Sequence, residues 1–96
     1  MSRRRSKLEI ILNILSNIRN GMDKPTRIMY AANMSWKPVQ KILSSLREQG
    51  LIEMRMNPKS RQSRKRYVIK QKGITLLDYF AKANEIVPLE VLNAVD

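Results

Sequence analysis

Six positively charged side chains fall within twelve residues in the middle of this chain, and no acidic residue lies among them. These residues are Arg55, Lys59, Arg61, Arg64, Lys65 and Arg66. Such a cluster repels itself unless a polyanion neutralises it, and duplex DNA offers phosphates and a minor groove as partners. We therefore predict that this segment contacts DNA, with Gln62 in the same run as a further contact. A solvated loop without a ligand is the alternative.

A second polar set has the spacing of one face of a helix. Between positions 36 and 49 an apolar stripe recurs at helical intervals, and the remaining side is polar and basic. The stripe consists of Val39, Ile42, Leu43 and Leu46. The predicted outward residues are Lys37, Gln40, Lys41, Ser44 and Arg47. Lys and Arg can donate hydrogen bonds to guanine and Gln can pair with adenine, so this face is predicted to enter a major groove. An ordinary solvated helix face is the alternative.

Two smaller basic groups complete the predicted DNA contacts. Arg3, Arg4, Arg5 and Lys7 form a basic arm at the start of the sequence, which could follow the phosphate backbone or enter a minor groove. The same arm could equally serve only to keep this end of the chain solvated. Arg27, in the second predicted helix, is the last member of the predicted set.

The charge of the whole chain is strongly positive and unevenly distributed. The net charge is +11; residues 1–72 contain 18 basic and 4 acidic groups, whereas residues 73–96 contain 1 basic and 4 acidic groups. This asymmetry predicts a body that meets a polyanion and a C-terminal segment held away from it. Double-stranded DNA is therefore the predicted partner, and the predicted location is cytoplasmic and nucleoid-associated.

The composition argues against several classes of function. Cysteine and histidine are both absent, which excludes disulfides and zinc sites with Cys or His ligands. The eight carboxylates are scattered and no glycine-rich phosphate loop is present, so we predict no enzyme activity, cofactor, metal or small-molecule ligand. The sequence also lacks an apolar run long enough to span a bilayer, and no membrane partner is expected.

Hydrophobic spacing predicts three helices ahead of Gly50, which should end the third. They cover residues 7–19, 24–32 and 36–49. Their predicted N-caps are Ser6, Asp23 and Ser35. Glu9 would complete a capping box in the first helix. In the third helix, the cap hydroxyl is expected to bond the Lys37 amide, because Pro38 has no amide hydrogen. The three-residue link between the second and third helices is typical of a helix-turn-helix.

After Gly50 the apolar residues alternate with polar ones, as in a half-buried strand. Strands are predicted over residues 52–56 and 67–69, joined by a polar loop. Gly73 is expected to mark a boundary before a fourth helix over residues 74–87, which Pro88 should end. A last apolar turn or two is expected at Leu89, Leu92 and Val95.

This order of elements predicts a mainly α protein with one β-hairpin, a winged helix-turn-helix. We assign residues 1–72 to the DNA-binding domain and residues 73–96 to a C-terminal dimerisation helix. The first and fourth helices have more apolar surface than one small core covers, so they are expected to bury it in a two-fold homodimer. The predicted interface residues are Ile10, Ile14, Ile74, Leu76, Leu77, Phe80, Ala83 and Val87. The alternative is a last helix that folds back on its own domain.

The aromatic residues are expected to be mainly structural. Trp36 lies on the same side of its helix as Val39, so burial at the edge of the core is favoured over contact with DNA. Tyr30, Tyr67 and Tyr79 are spread over three elements and do not form a stacking platform for single-stranded nucleic acid. An RNA-binding role therefore ranks below duplex DNA, and so does a protein-docking role, which winged helices also fill.

Two stretches of the sequence resemble a known family. Residues 6–11 read SKLEII and residues 26–35 read TRIMYAANMS, and both resemble the small basic winged-helix proteins of Sulfolobus-type archaea. Further matching positions are Gly50, Leu51, Ile52, Lys72, Gly73, Leu76 and Leu77. The resemblance implies a chromatin-associated protein of the ten-kilodalton class that binds double-stranded DNA and dimerises through a C-terminal antiparallel coiled coil. The wing, which is the predicted hairpin over residues 52–69 with its basic loop, is longer and more basic here than in that family. Pro88 interrupts the last helix. A transcription regulator and a chromatin organiser both stay open.

Overall fold

Six elements follow one another in the computed structural model, which describes residues 6–59, 61 and 64–88. They are α1 (Lys7–Arg19), α2 (Pro25–Ala32), α3 (Trp36–Glu48), β1 (Ile52–Met56), β2 (Lys65–Ile69) and α4 (Gln71–Ile86). The predicted order of three helices, a hairpin and a fourth helix is confirmed. The bounds of α1 are those that the hydrophobic spacing predicts.

The start of α1 is capped as expected, whereas the other two predicted side-chain caps are wrong. The Ser6 hydroxyl accepts a hydrogen bond from the Glu9 amide at 3.1 Å. Helix α2 has Lys24 at its N-cap, without a side-chain cap. The carbonyl of Asp23 instead accepts the Tyr67 amide of β2 at 2.9 Å, so Asp23 belongs to the attachment of the hairpin. Ser35 is the N-cap of α3 but makes no side-chain cap bond.

The turn between α2 and α3 is closed by backbone hydrogen bonds. Asn33 has the left-handed conformation (φ 55°, ψ 46°), which asparagine tolerates better than most residues. Its amide donates to the Tyr30 carbonyl at 3.0 Å, and the Met34 amide donates to the Met29 carbonyl at 3.3 Å. These bonds satisfy carbonyls at the end of α2 and turn the chain directly into α3.

The hairpin is antiparallel and longer than the sequence predicts. Ile52 pairs with Ile69, and Met56 pairs with Lys65, so β2 begins two residues before the predicted start. Beyond this last pair, the Asn57 amide donates to the Arg64 carbonyl at 2.6 Å. The pairing thus brings basic residues of the wing into the ladder itself.

Helix α4 begins at Gln71, and the predicted boundary at Gly73 is wrong. Gly73 is buried in the first turn of α4. A Cβ at this position would lie 2.5 Å from the Leu51 carbonyl oxygen and 2.8 Å from Ile69 Cγ1. The glycine is therefore needed for close packing of α4 on the base of the hairpin. Pro88 follows the end of α4, as expected, and Leu89, Leu92 and Val95 lie outside the described residues.

The core joins α1, α2, α3 and the hairpin. Its buried residues are Ile14, Leu15, Ile18, Ile28, Ala32, Val39, Leu43, Leu46, Leu51, Ile52 and Tyr67. Burial raises the pKa of the Tyr67 phenol above its ordinary value, and the positive charge of Arg47 acts in the opposite direction.

Candidate nucleic-acid interface

The outer face of α3 is polar, basic and exposed. The opposite face is anchored in the core by Val39, Leu43 and Leu46, all of which are buried. All five residues predicted on the outer face are exposed: Lys37, Gln40, Lys41, Ser44 and Arg47. The helix therefore presents hydrogen-bond donors and acceptors from a fixed position, which base reading requires.

Four of these five residues line one shallow depression on α3. Its lining consists of Lys37, Gln40, Lys41, Ser44, Ser45 and Glu48. Arg47 is exposed but lies outside this depression. The sequence prediction did not include Ser45 and Glu48. Each of them lies four residues after a predicted contact and therefore shares a helix face with that contact. The carboxylate of Glu48 can accept from the amino group of cytosine.

The wing extends the basic surface beyond α3. Arg55, Lys59, Arg61, Arg64 and Lys65 are exposed, and Arg66 is half-buried. The Arg55 guanidinium donates to Glu53 Oε1 at 2.6 Å, which partly neutralises that charge. The Asn57 side chain accepts the Lys59 amide at 3.1 Å and shapes the chain where it leaves β1. Gln62 and the arm residues Arg3, Arg4 and Arg5 lie outside the described residues.

Two aromatic side chains of α2 and α3 reach the surface, and one of them departs from the sequence prediction. Tyr30 on α2 is 76% exposed and is not a core residue, whereas Trp36 at the start of α3 is 39% exposed, which agrees with the predicted position at the edge of the core. Of the three tyrosines, only Tyr67 has the predicted buried role. Arg27 is exposed three residues before Tyr30, and the two therefore share the outer face of α2. Phenol and guanidinium groups both donate to phosphate oxygens.

Helix α4 packs along α1 of its own domain. The Arg19 guanidinium bonds the Asp78 carboxylate at 3.0 Å, and both side chains are about half exposed. Farther along, Leu12 of α1 and Leu77 and Phe80 of α4 line the same groove. Helix α4 therefore folds back on its own domain, as the alternative to the dimerisation helix predicts.

The packing of α4 changes which apolar residues stay available for a second copy. Ile14 is completely buried in the core and has no surface to offer, so the structure removes it from the predicted interface. The other seven predicted residues are only partly buried: Ile10, Ile74, Leu76, Leu77, Phe80, Ala83 and Val87. Two residues that the sequence prediction omitted are more exposed, with Tyr79 at 67% and Ile86 at 83%.

A three-residue turn between two helices, followed by a hairpin packed beside the second, defines a winged helix-turn-helix domain. The chain belongs to the winged helix-turn-helix family, whose profile matches residues 4–87. An uncharacterized protein of Methanocaldococcus jannaschii is 42% identical over 50 residues. That match covers 52% of this chain and 52% of the relative, so the chain matches about half the length of this curated relative.

Solved structures show the same fold. A DNA-binding protein from Sulfolobus solfataricus, Sso10a-2, is 27% identical, with a TM-score of 0.70 over 95% of this chain and 88% of that one. Streptococcus pneumoniae FabT in complex with DNA is 15% identical, with a TM-score of 0.69 over 94% of this chain and 66% of that one. A mutant of Staphylococcus aureus MepR bound to an oligodeoxyribonucleotide is 16% identical. Its TM-score is 0.73 over 88% of this chain and 62% of that one.

Within residues 6–59, 61 and 64–88, no group of three or more Asp or Glu residues could hold a metal ion. No helix in this part of the chain combines the length and the apolar character needed to cross a bilayer.

Proposed function

We propose that this chain binds double-stranded DNA, with α3 in the major groove and the wing against the adjacent backbone or minor groove. One observation carries the proposal: α3 is fixed in the core on one side and presents Lys37, Gln40 and Lys41 to solvent on the other. A recognition helix needs this arrangement, because its outer side chains must reach base edges without loss of the fold. The description of Sso10a-2 as a DNA-binding protein supports the proposal.

The wing and α2 supply the sequence-independent part of binding. Their exposed cations can contact phosphates on either side of the groove that α3 enters. If roughly six to eight phosphates are contacted, the slope of log affinity against log salt concentration is about −5 to −7. The experiment is a titration of a labelled duplex over a salt series, with a single-stranded RNA of the same length as the comparison. A flat salt dependence, or tighter binding of the RNA, would contradict the proposal.

The proposed assembly is a homodimer formed through α4. The exposed side chains of Tyr79 and Ile86, together with the partly exposed Ala83, give α4 an outward apolar surface that its own domain leaves uncovered. A two-fold axis through this surface would present two copies of α3, suited to half-sites about one helical turn apart or a multiple of it. The acidic balance of residues 73–96 suits a segment held away from DNA.

The biological role that we propose lies between transcription regulation and chromatin organisation, in a cytoplasmic, nucleoid-associated setting. Gln40 and Ser44 provide base-reading chemistry, whereas the wing provides affinity for any sequence. Footprinting on genomic and random DNA separates the two roles. Discrete protected sites would support a regulator, and uniform coating would support a chromatin protein.

A further inference from the structure

An open apolar groove runs between the first half of α1 and one side of α3. Its apolar lining consists of Ile10, Ile11, Met34, Pro38, Ile42 and Leu46. The groove has a volume of about 530 Å³, which falls within the range of about 300–1,000 Å³ typical of small-ligand sites. It is separate from the packing of α4, because Leu12 and Ser16, which line the groove shared with α4, lie on a different side of α1.

Two lysines stand at the rim of this groove. Lys7 comes from α1 and Lys41 comes from α3, and both are exposed. Among the described residues, no carboxylate contributes to the lining. Two ammonium groups beside an aliphatic surface complement a molecule with one anionic head group and an apolar body.

The lining also restricts the nature of the apolar body. Among the described residues that line the groove, the apolar members are aliphatic side chains, a proline ring and the adaptable thioether of Met34, without an aromatic ring to stack on. Within the same described set, Ser45 has the one polar side chain besides the two lysines. Such a surface suits a flexible alkyl chain better than a polar ring that requires several hydrogen bonds.

We propose that this groove binds a medium-chain aliphatic monocarboxylate, with the alkyl chain against Ile10 and Ile42 and the carboxylate between Lys7 and Lys41. Apolar burial of the chain supplies most of the affinity. The two lysines select the anion over a neutral molecule of the same shape. The sequence alone gave no sign of this site, because its walls come from α1, α3 and the turn between α2 and α3.

Occupancy of the groove is linked to the outer face of α3. Lys41 and Ser45 line both the groove and the polar depression of α3. A carboxylate that holds Lys41 removes one cation from the surface proposed to meet DNA. Ligand and duplex must then weaken each other's affinity by the same factor, which we expect to be about threefold to tenfold. This coupling rests on the proposed function, whereas binding of the carboxylate does not.

Methionine methyl resonances provide a direct test on the intact chain. Met34 lines the groove, whereas Met56 on β1 is 58% exposed and is not part of the lining. The probe is decanoate below its micelle concentration, with decanol and acetate as controls and a Met34→Leu variant for assignment. We expect a saturable shift at Met34 without a shift at Met56, and about tenfold weaker binding of decanol. Equal binding of decanol and decanoate, or equal shifts at both methionines, overturns the proposal.

Two matched lysine variants test the head-group site without a change in α3. Lys7→Met should weaken decanoate binding by about threefold or more, and Lys82→Met on α4 should leave it unchanged. Duplex affinity without decanoate should stay within about twofold in Lys82→Met, since α4 is held away from DNA. The same measurement on Lys7→Met reads any lost DNA contact of the basic arm separately from the loss of the carboxylate. Equal loss of decanoate affinity in both variants would show general attraction of an anion to a basic protein, against the proposal.

Other occupants of the groove give distinguishable results. If a second copy covers it, the Met34 resonance shifts with protein concentration alone and decanoate has no effect, which overturns the proposal. If decanoate binds but leaves duplex affinity unchanged, the coupling through Lys41 is wrong. If the chain fails to bind duplex at any salt concentration, the proposed function is wrong while the Met34 titration still decides the ligand site.

Discussion

Replacement of Gly73 by alanine should destabilise the domain, although the same change stabilises an ordinary helix. The added methyl would start 2.5 Å from the Leu51 carbonyl oxygen and 2.8 Å from Ile69 Cγ1. The nearer atom belongs to the backbone and cannot rotate away, so α4 itself must shift. Overpacking of this kind costs about 1–3 kcal/mol, and both contacts lie below 3.0 Å, so we take the upper part of that range, about 2–3 kcal/mol. The gain in helix propensity returns about 1 kcal/mol of this cost. The expected net loss is about 1–2 kcal/mol in the free energy of unfolding.

Thermal unfolding followed by circular dichroism measures this loss. A domain of this size loses about 4–8 °C in Tm for each kcal/mol, so the Tm of Gly73→Ala should fall by about 4–16 °C. Thr75→Ala is the matched control, because Thr75 is exposed in the same region of α4 and its loss should change the stability by less than about 0.5 kcal/mol. All proteins must be compared at one concentration, since dimerisation would raise the Tm. A Gly73→Ala protein as stable as the parent would refute the inference of close packing.

Three further predictions concern the DNA contacts, the dimer and the first helix. The double substitution Arg61→Ala with Arg64→Ala should weaken the affinity for all duplexes about equally. By contrast, Gln40→Ala should alter the sequences that the protein selects from a random pool of duplexes. An unchanged profile of selected sequences would contradict the base-reading role of Gln40. In sedimentation, the parent chain should be a dimer at tens of micromolar, and the Ile86→Asp variant should be a folded monomer. A monomeric parent chain, or a variant that stays dimeric, would contradict the proposed interface. Ser6→Ala should cost about 1 kcal/mol in chemical denaturation, since the Glu9 amide loses its partner, and an unchanged midpoint would count against a stabilising cap.

The elements could be predicted from the sequence because their apolar periods are strong and local. The stripe through Leu15 and Ile18 and the alternation after Gly50 needed no knowledge of the fold. The errors occur where tertiary contacts decide. Asp23 has the right chemistry for an N-cap, but its carbonyl is taken up by the amide of Tyr67, which is distant in sequence. Gly73 looks like a helix boundary locally, yet it is a close contact inside a helix.

The charges of the candidate site could be predicted from the sequence, whereas its shape could be predicted only in part. Basic residues cluster visibly in the sequence, and the outer face of α3 follows from helical spacing alone. The exposure of Tyr30 could not be foreseen, because aromatic residues are more often buried and the sequence does not show where the core ends. The sequence does not decide whether α4 packs against α1 or against a second copy, since apolar stripes do not identify their partners. The groove rimmed by Lys7 and Lys41 could not be predicted for the same reason, because its shape depends on which helix faces pack together.

The hydrogen bond between the Tyr67 amide and the Asp23 carbonyl has a kinetic consequence. It joins residues 44 positions apart, whereas the contacts within each helix are local. Local structure forms before distant segments meet, because closing a long loop has an entropic cost that only later contacts offset. The helical part can therefore form before the wing docks, and docking of the wing should be a late event in folding. Hydrogen exchange at the Tyr67 amide would report whether the wing opens separately from global unfolding.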